Sequence, residues 1–312
     1  MRLSCLIMAM AALPSGIAAA QQSQEPQLLP TGQALTPLAA PGARFEPLTT
    51  GIGPVPSYLA DGAAAAATSP DGREMLVLTS GYNRVNGADG KVIEAQSVQY
   101  VFRYAVSARG SRLLQTLPVK NSYGGIAWRP DGRGFLVGGG VDDVVHVFAR
   151  RGTGFAETAT IELGHKAGLG AEVKPQAAGV AVSPDGHRAL VANYYNDSAS
   201  LLDLDRNAVV AEQDLRPGKI DPAQAGVAGG ENPFAVVWPE PGRAWLSSPR
   251  DRQIVALAIG STGISVTGRI ATLGEPTALL ADRRSGRLFA TEDNADRLAI
   301  VDTAAGRLAA SN

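Results

Sequence analysis

The chain has 312 residues, with 28 Lys and Arg against 29 Asp and Glu, three His, one Cys, 36 Gly and 20 Pro. A formal charge of -1 excludes a basic nucleic-acid footprint, and so few His and Cys leave little for a zinc site or a Cys/His catalytic pair. With 18% charged residues and abundant Gly and Pro, short strands joined by turns suit the composition better than long charged helices.

The chain starts with Met1-Arg2, an apolar run from Leu3 to Leu13, and Ala18-Ala19-Ala20 before the polar Gln21-Gln22. A charged end, a short apolar stretch and small residues predict a signal peptide over 1–20, cleaved after Ala20, and a periplasmic or secreted product. Cleavage removes Cys5, the single cysteine, and the mature chain then carries no thiol. No later apolar run is long enough for a membrane span. Residues 21–60 are rich in Pro, Gln, Thr and Gly and read as an extended arm, with one strand near Arg44 to Leu48.

From residue 61 to 312 one unit recurs. Ser69-Pro70-Asp71-Gly72, Arg129-Pro130-Asp131-Gly132, Ser183-Pro184-Asp185-Gly186, Pro239-Glu240-Pro241-Gly242 and Asp282-Arg283-Arg284-Ser285-Gly286 each sit between two short apolar runs. Pro presets φ, Asp caps the turn and Gly takes the left-handed position, so each unit predicts a hairpin. The turn glycines recur at intervals of 60, 54, 56 and 44 residues. Third strands are expected at Val98 to Val106, Val144 to Phe148, Ser200 to Leu204, Gln253 to Ile259 and Leu298 to Val301. Weaker fourth strands follow, as at Leu113 to Val119, Ala159 to Leu163 and Val209 to Asp214. Four strands per unit predict an all-β fold, a β-propeller of four-stranded blades.

Ser183-Pro184-Asp185-Gly186, Leu190-Val191-Ala192-Asn193 and Ser200-Leu201-Leu202-Asp203-Leu204 resemble the YVTN-type, YncE-like propeller repeat, and the match extends over about 60–312. Thr79 to Arg84, Gly138 to Asp143 with Val145 to Phe148, and Gly230 to Phe234 are similar to a more specific group. In those exported bacterial proteins a propeller precedes an alkaline-phosphatase-like phosphoesterase domain. The resemblance implies a metal-dependent phosphoesterase half, which this sequence does not contain, so no catalytic residue is carried over. It also implies a ring of seven blades, of which five units are recognisable here. Either the arm at 21–60 closes a small ring or the chain is truncated within the fifth unit, at the strand starting near Gly306; truncation is the preferred expectation.

In a propeller, the connections from second to third strands and from blade to blade open on one face. Here they carry the long insertions: 80–97, 164–177 and 216–232. That face is the expected binding face. The candidate ligand residues on it are Tyr82, Asn83 and Arg84; Asp142 and Asp143; Tyr194, Tyr195, Asn196 and Asp197; Arg250 and Asp251; and Glu292, Asp293 and Asn294. Asp and Asn at these places also cap loops without binding anything. No phosphate loop, dinucleotide fingerprint or Gly-x-Ser-x-Gly elbow occurs, and His146, His165 and His187 have no ligand-spaced partners. The expectation is an exported, non-catalytic module that recognises a protein, glycan or small molecule, with no resident cofactor or metal. The alternative is a lactonase-like propeller hydrolase using calcium (Ca²⁺) in the central channel, held by Asp142, Asn196 and Asp293.

Overall fold

The two Ser-Pro-Asp-Gly units each fold as a closed knot of hydrogen bonds. Ser69 Oγ donates to Asp71 Oδ1 at 2.7 Å, and the Arg73 and Glu74 amides donate to Asp71 Oδ1 and Ser69 Oγ at 3.1 and 2.9 Å. Ser183, Asp185, His187 and Arg188 repeat the arrangement. Gly72 and Gly186 take φ values of 72° and 80°, which an L side chain rarely adopts. These turns set the register of the strands on either side.

The structure, a computed structural model, describes residues 46–52, 57–81, 83–218 and 230–311, with two short strands before them. The chain divides into two units, Met1–Pro47 and Leu48–Asn312. In the first, β1 (Gln27–Leu28) pairs antiparallel with β2 (Ala34–Leu35). The expected signal peptide at 1–20, most of the arm, Tyr82 and residues 219–229 lie outside the described residues.

The second unit is a series of five four-stranded antiparallel meanders. Blade 1 holds β3 (Ala63–Thr68), β4 (Glu74–Thr79), β5 (Gln99–Ser107) and β6 (Gly110–Val119). Blade 2 holds β7 (Ile126–Trp128), β8 (Gly134–Gly138), β9 (Val144–Arg151) and β10 (Gly154–Glu162). Blade 3 holds β11 (Ala177–Val182), β12 (Arg188–Asn193), β13 (Ser198–Asp203) and β14 (Ala208–Asp214). Blade 4 holds β15 (Val236–Glu240), β16 (Arg243–Ser248), β17 (Gln253–Ile259) and β18 (Ile264–Ala271). Blade 5 holds β19 (Glu275–Asp282), β20 (Arg287–Asp293), β21 (Arg297–Asp302) and β22 (Arg307–Ser311).

The blades stand in a ring, and the first strand of each packs against the next: β3 on β7, β7 on β11, β11 on β15 and β15 on β19. Between β19 and β3 no comparable packing occurs. The expectation of a seven-bladed ring is therefore corrected: five complete blades form. The fifth has all four strands, with β22 pairing with β21 from Asp302–Arg307 to Ala299–Ser311.

Strand alternation gives each blade two faces, and the core lies between blades. Leu76, Leu78, Val101, Phe135, Val137 and Phe148 fill the space between blades 1 and 2, with the Phe135 and Phe148 rings stacked at 4.7 Å. Leu190, Leu201, Leu246, Val255 and Leu257 fill that between blades 3 and 4. Trp245, Ile254, Leu288, Ala290 and Val301 fill that between blades 4 and 5. The other face of blade 1, with Tyr100, Phe102 and Tyr104, is covered by Leu48, Ile52, Tyr58 and Ala60.

Candidate functional site

Small residues let the inner strands approach closely. A Cβ on Gly125 would lie 2.0 Å from the Ala178 carbonyl oxygen, and one on Gly179 would lie 2.1 Å from that of Phe234. Only glycine allows such contact, so blades 2, 3 and 4 converge tightly at their inner edges. Just before these strands, the inter-blade segments deliver Tyr123 and Phe234, whose rings meet edge to face at 5.7 Å. Tyr194, from the end of β12, adds a third ring 5.3 Å from Tyr123.

Beside this aromatic cluster lies a cavity of about 730 Å³, lined among others by Arg84, Glu94, Gln99, Asn121, Tyr123, Gln176 and Phe234. That volume falls within the range of small-molecule sites. Its wall comes from the long insertion of blade 1, including the 3₁₀ turn Glu94–Gln96, and from the inter-blade connections. It opens on the insertion-bearing face.

The cavity's floor is held by a polar lattice. The buried Asn83 donates through Nδ2 to Gln99 Oε1 at 2.9 Å and to Thr79 Oγ1 at 3.0 Å, and its Oδ1 accepts the Asp61 amide at 2.7 Å. Ser80 Oγ donates to the Ser122 carbonyl at 2.9 Å, and Ser122 Oγ returns a bond to the Thr79 carbonyl at 2.6 Å, which fastens blade 1 to blade 2. Burial, and then the neighbouring Tyr194 and Tyr195, push the Tyr123 hydroxyl up to about 12. It therefore stays protonated and able to donate across the neutral range.

Of the residues singled out in the sequence, Asn83 and Arg84 line this cavity. The others are distributed around the blade ends. Asp143, Asp197 and Asp296, with Arg252 in blade 4, each precede a third strand with φ between 49° and 58°. The Asp143, Asp197 and Arg252 backbone carbonyls accept amides from the ends of fourth strands: Leu163 to Asp143 at 2.9 Å, Leu215 to Asp197 at 2.8 Å and Thr272 to Arg252 at 2.8 Å. The Asp197 carboxylate accepts the Asn232 amide at 3.0 Å, and Asp251 accepts that of Glu231 at 2.7 Å. Here these residues tie each turn to the crossover beside it. Asp142 pairs with Lys120 at 3.0 Å, Asn196 Nδ2 donates to the Ala167 carbonyl at 2.9 Å, and Arg250 pairs with Glu231 at 3.4 Å. Asp293 accepts the Asn294 amide at 2.9 Å, and the buried Glu292 accepts that of Gly274 at 3.0 Å. Tyr195 remains exposed, its ring 4.9 Å from that of Tyr194.

Among the described residues no group of three or more His, Cys, Asp or Glu side chains is placed to hold a metal. Asp142, Asn196 and Asp293, the set expected for calcium, each bond a different group: Lys120, the Ala167 carbonyl and the Asn294 amide. Nor does a described helix reach the length and apolarity needed to cross a membrane.

His165, which has no ligand-spaced partner in the sequence, gains two distant ones in the fold. Its Nδ1 meets Asp143 Oδ1 at 2.7 Å in blade 2, and its Nε2 meets Glu212 Oε1 at 2.8 Å in blade 3. Ser198 Oγ donates to the same Glu212 oxygen at 2.5 Å. Burial alone would lower the imidazole, but bonds to Asp143 and Glu212 outweigh it and raise it to about 9. Glu212 is lowered despite burial, by its bonds to His165 and Ser198. The partners stand 22 and 47 residues away in sequence, where no local spacing signal exists. Glu94, Gln99, Asn121 and Gln176 were missed for the same reason; the one available signal was an aromatic shortly before an inner strand, as at Tyr123 and Phe234.

No family model and no curated protein matches the chain. Solved structures do. The periplasmic gluconolactonase of Pseudomonas aeruginosa superimposes with a TM-score of 0.59 at 20% identity, over 84% of this chain and 75% of that one. A Bacteroides uniformis protein named as a candidate 6-phosphogluconolactonase gives 0.57 at 16%, over 80% and 71%. The WD40 repeats of RRP9 give 0.57 at 11%, over 80% and 62%. The chain spans 62% to 75% of the lengths of these three solved chains, and 47% of that of the Kuenenia stuttgartiensis hydrazine synthase chain. At these identities the likeness establishes the β-propeller and nothing finer. It also removes the ground for expecting a chain without enzymatic activity: propellers of this kind include two named for lactone hydrolysis, and this chain holds a formed cavity on the expected face.

Proposed function

We propose that the chain is an exported propeller hydrolase that opens a small sugar lactone in the cavity walled by the blade 1 insertion and the inter-blade segments. The observation that carries this reading is the cavity itself. One wall is aromatic, with Tyr123 and Phe234, and the other is polar, with Arg84, Glu94, Gln99, Asn121 and Gln176. A sugar ring has an apolar face that stacks on aromatic edges and hydroxyls that bond to amide side chains. The neighbours named as lactonases support the reaction type, and the signal-like residues 1–20 support export.

In this reading the Glu94 carboxylate takes a proton from water, and the oxygen attacks the lactone carbonyl. Arg84 and the Tyr123 hydroxyl offset the charge on the carbonyl oxygen as the tetrahedral intermediate forms. The ring C–O bond then breaks, the proton passes from Glu94 to the departing ring oxygen, and an open hydroxy acid leaves.

The test is acid release from glucono-1,5-lactone and its 6-phosphate, followed by a pH indicator and corrected for spontaneous opening. Activity that falls by about 100-fold or more in Glu94→Gln, at an unchanged melting temperature, is expected for a lost general base. Rates equal to the spontaneous reaction with both lactones would reject the proposal.

A further inference from the structure

Blade 5 presents an apolar sheet face to which nothing in the described structure is attached. Leu279, Ala281, Leu288, Ala290, Ala299, Val301 and Leu308 belong to the core with blade 4. The alternate positions point the other way. Leu280 pairs with Phe289, Phe289 with Ile300 and Ile300 with Ala310, so one apolar row crosses all four strands. Leu298 extends it, and Leu280 is 67% exposed. Blade 1 cannot cover this row with its equivalent face, because Leu48, Ile52, Tyr58 and Ala60 already occupy that face.

Next to the apolar row runs a charged one. Asp282 pairs with Arg287, Arg287 with Asp302 and Asp302 with Arg307, again across all four strands. Read across the sheet the signs alternate, minus, plus, minus, plus. None of these four side chains makes an ion pair with another described residue, although both aspartates accept local turn bonds. A two-fold axis along the strand direction reverses the row. Asp282 then faces Arg307 of a second copy and Arg287 faces its Asp302, while the apolar rows lie on each other. The pattern is self-complementary, as an isologous contact between identical surfaces requires.

We propose that the outward face of blade 5 is a dimer interface, and that its occupant is the same face of a second copy of this chain. Two sheets packed through alternating side chains are an ordinary aligned sandwich. The contact would cover an exposed apolar face of a kind that soluble chains rarely leave open.

The test is the mass of the chain in solution, by light scattering and sedimentation equilibrium across a 100-fold concentration range. A mass of twice the chain is expected, falling to that of the single chain in Leu280→Asp and in Arg287→Asp, each with the circular dichroism and thermal melt of a folded blade array. Arg287→Asp combined with Asp302→Arg restores opposite signs across the axis and should restore the doubled mass. A single-chain mass throughout the range would overturn the proposal. So would a doubled mass indifferent to Leu280→Asp, or a series of larger assemblies, which marks a contact between unlike surfaces. A dimer lost in Arg287→Asp but not rescued by the swapped pair would overturn the two-fold arrangement. The lactonase reading is unaffected by any of these outcomes, since no blade 5 residue lines its cavity.

Discussion

Blade 5 has one face buried against blade 4 and one face open, and the two are built from neighbouring residues of the same strands. Leu288 is fully buried between blades, whereas Leu280, opposite Phe289 on the next position of the sheet, is exposed. The seam between blades 2 and 3 shows the other extreme, with apolar packing through Leu136, Val145, Val180 and Leu202 and a charged clasp at its rim through Asp143, His165 and Glu212. The difference teaches that a propeller blade is no independent unit. Its sheet forms from local turns, and most of its stability comes from the neighbour that covers each face.

The largest effect that would sharpen this comparison is Leu288→Ala, which should lower unfolding stability by roughly 2–5 kcal/mol, read from urea melts. Gly125→Ala follows. Its methyl would be driven into the Ala178 carbonyl oxygen, and a loss of roughly 1–3 kcal/mol is expected in the same melts. His165→Asn removes the clasp and should cost roughly 1.5–3 kcal/mol at pH 6.

The cost of His165→Asn must depend on pH. An imidazole raised from 6.5 to about 9 contributes fully below about pH 6.5 and loses its contribution as pH climbs through 9. Glu212, lowered, contributes above its unfolded value and loses its part as pH falls through its folded one. Thermal melts of the native chain and the variant should therefore differ most near pH 6 and converge above pH 9. A gap that does not narrow there would break the clasp interpretation. The smallest effect is Leu280→Ala, within about 0.5 kcal/mol for the single chain, since an exposed side chain leaves no cavity behind. If this substitution matched Leu288→Ala, the open face of blade 5 would not be open.

The sequence made the blades readable because a turn announces itself locally. Ser183-Pro184-Asp185-Gly186 supplies its own hydroxyl, carboxylate and left-handed glycine, and β17 was placed at its observed limits, Gln253–Ile259. The candidate site was less readable. Asn83 and Arg84 were named, but Glu94, Gln99, Asn121 and Gln176 converge from separate connections. Asp143, Asp197 and Asp251 attracted attention as oxygen donors, and their carboxylates turned out to accept backbone amides of the adjoining crossovers, at His165, Asn232 and Glu231.

By itself, then, the sequence determined what depends on a few adjacent residues: the hairpins, the alternation of each strand and the face that carries the insertions. Only the tertiary structure decided the number of blades, the cavity, the His165 clasp and the open side of blade 5. Each of these depends on which sheet lies against which, and a repeat that is alike in every blade carries no mark of where its neighbour stops.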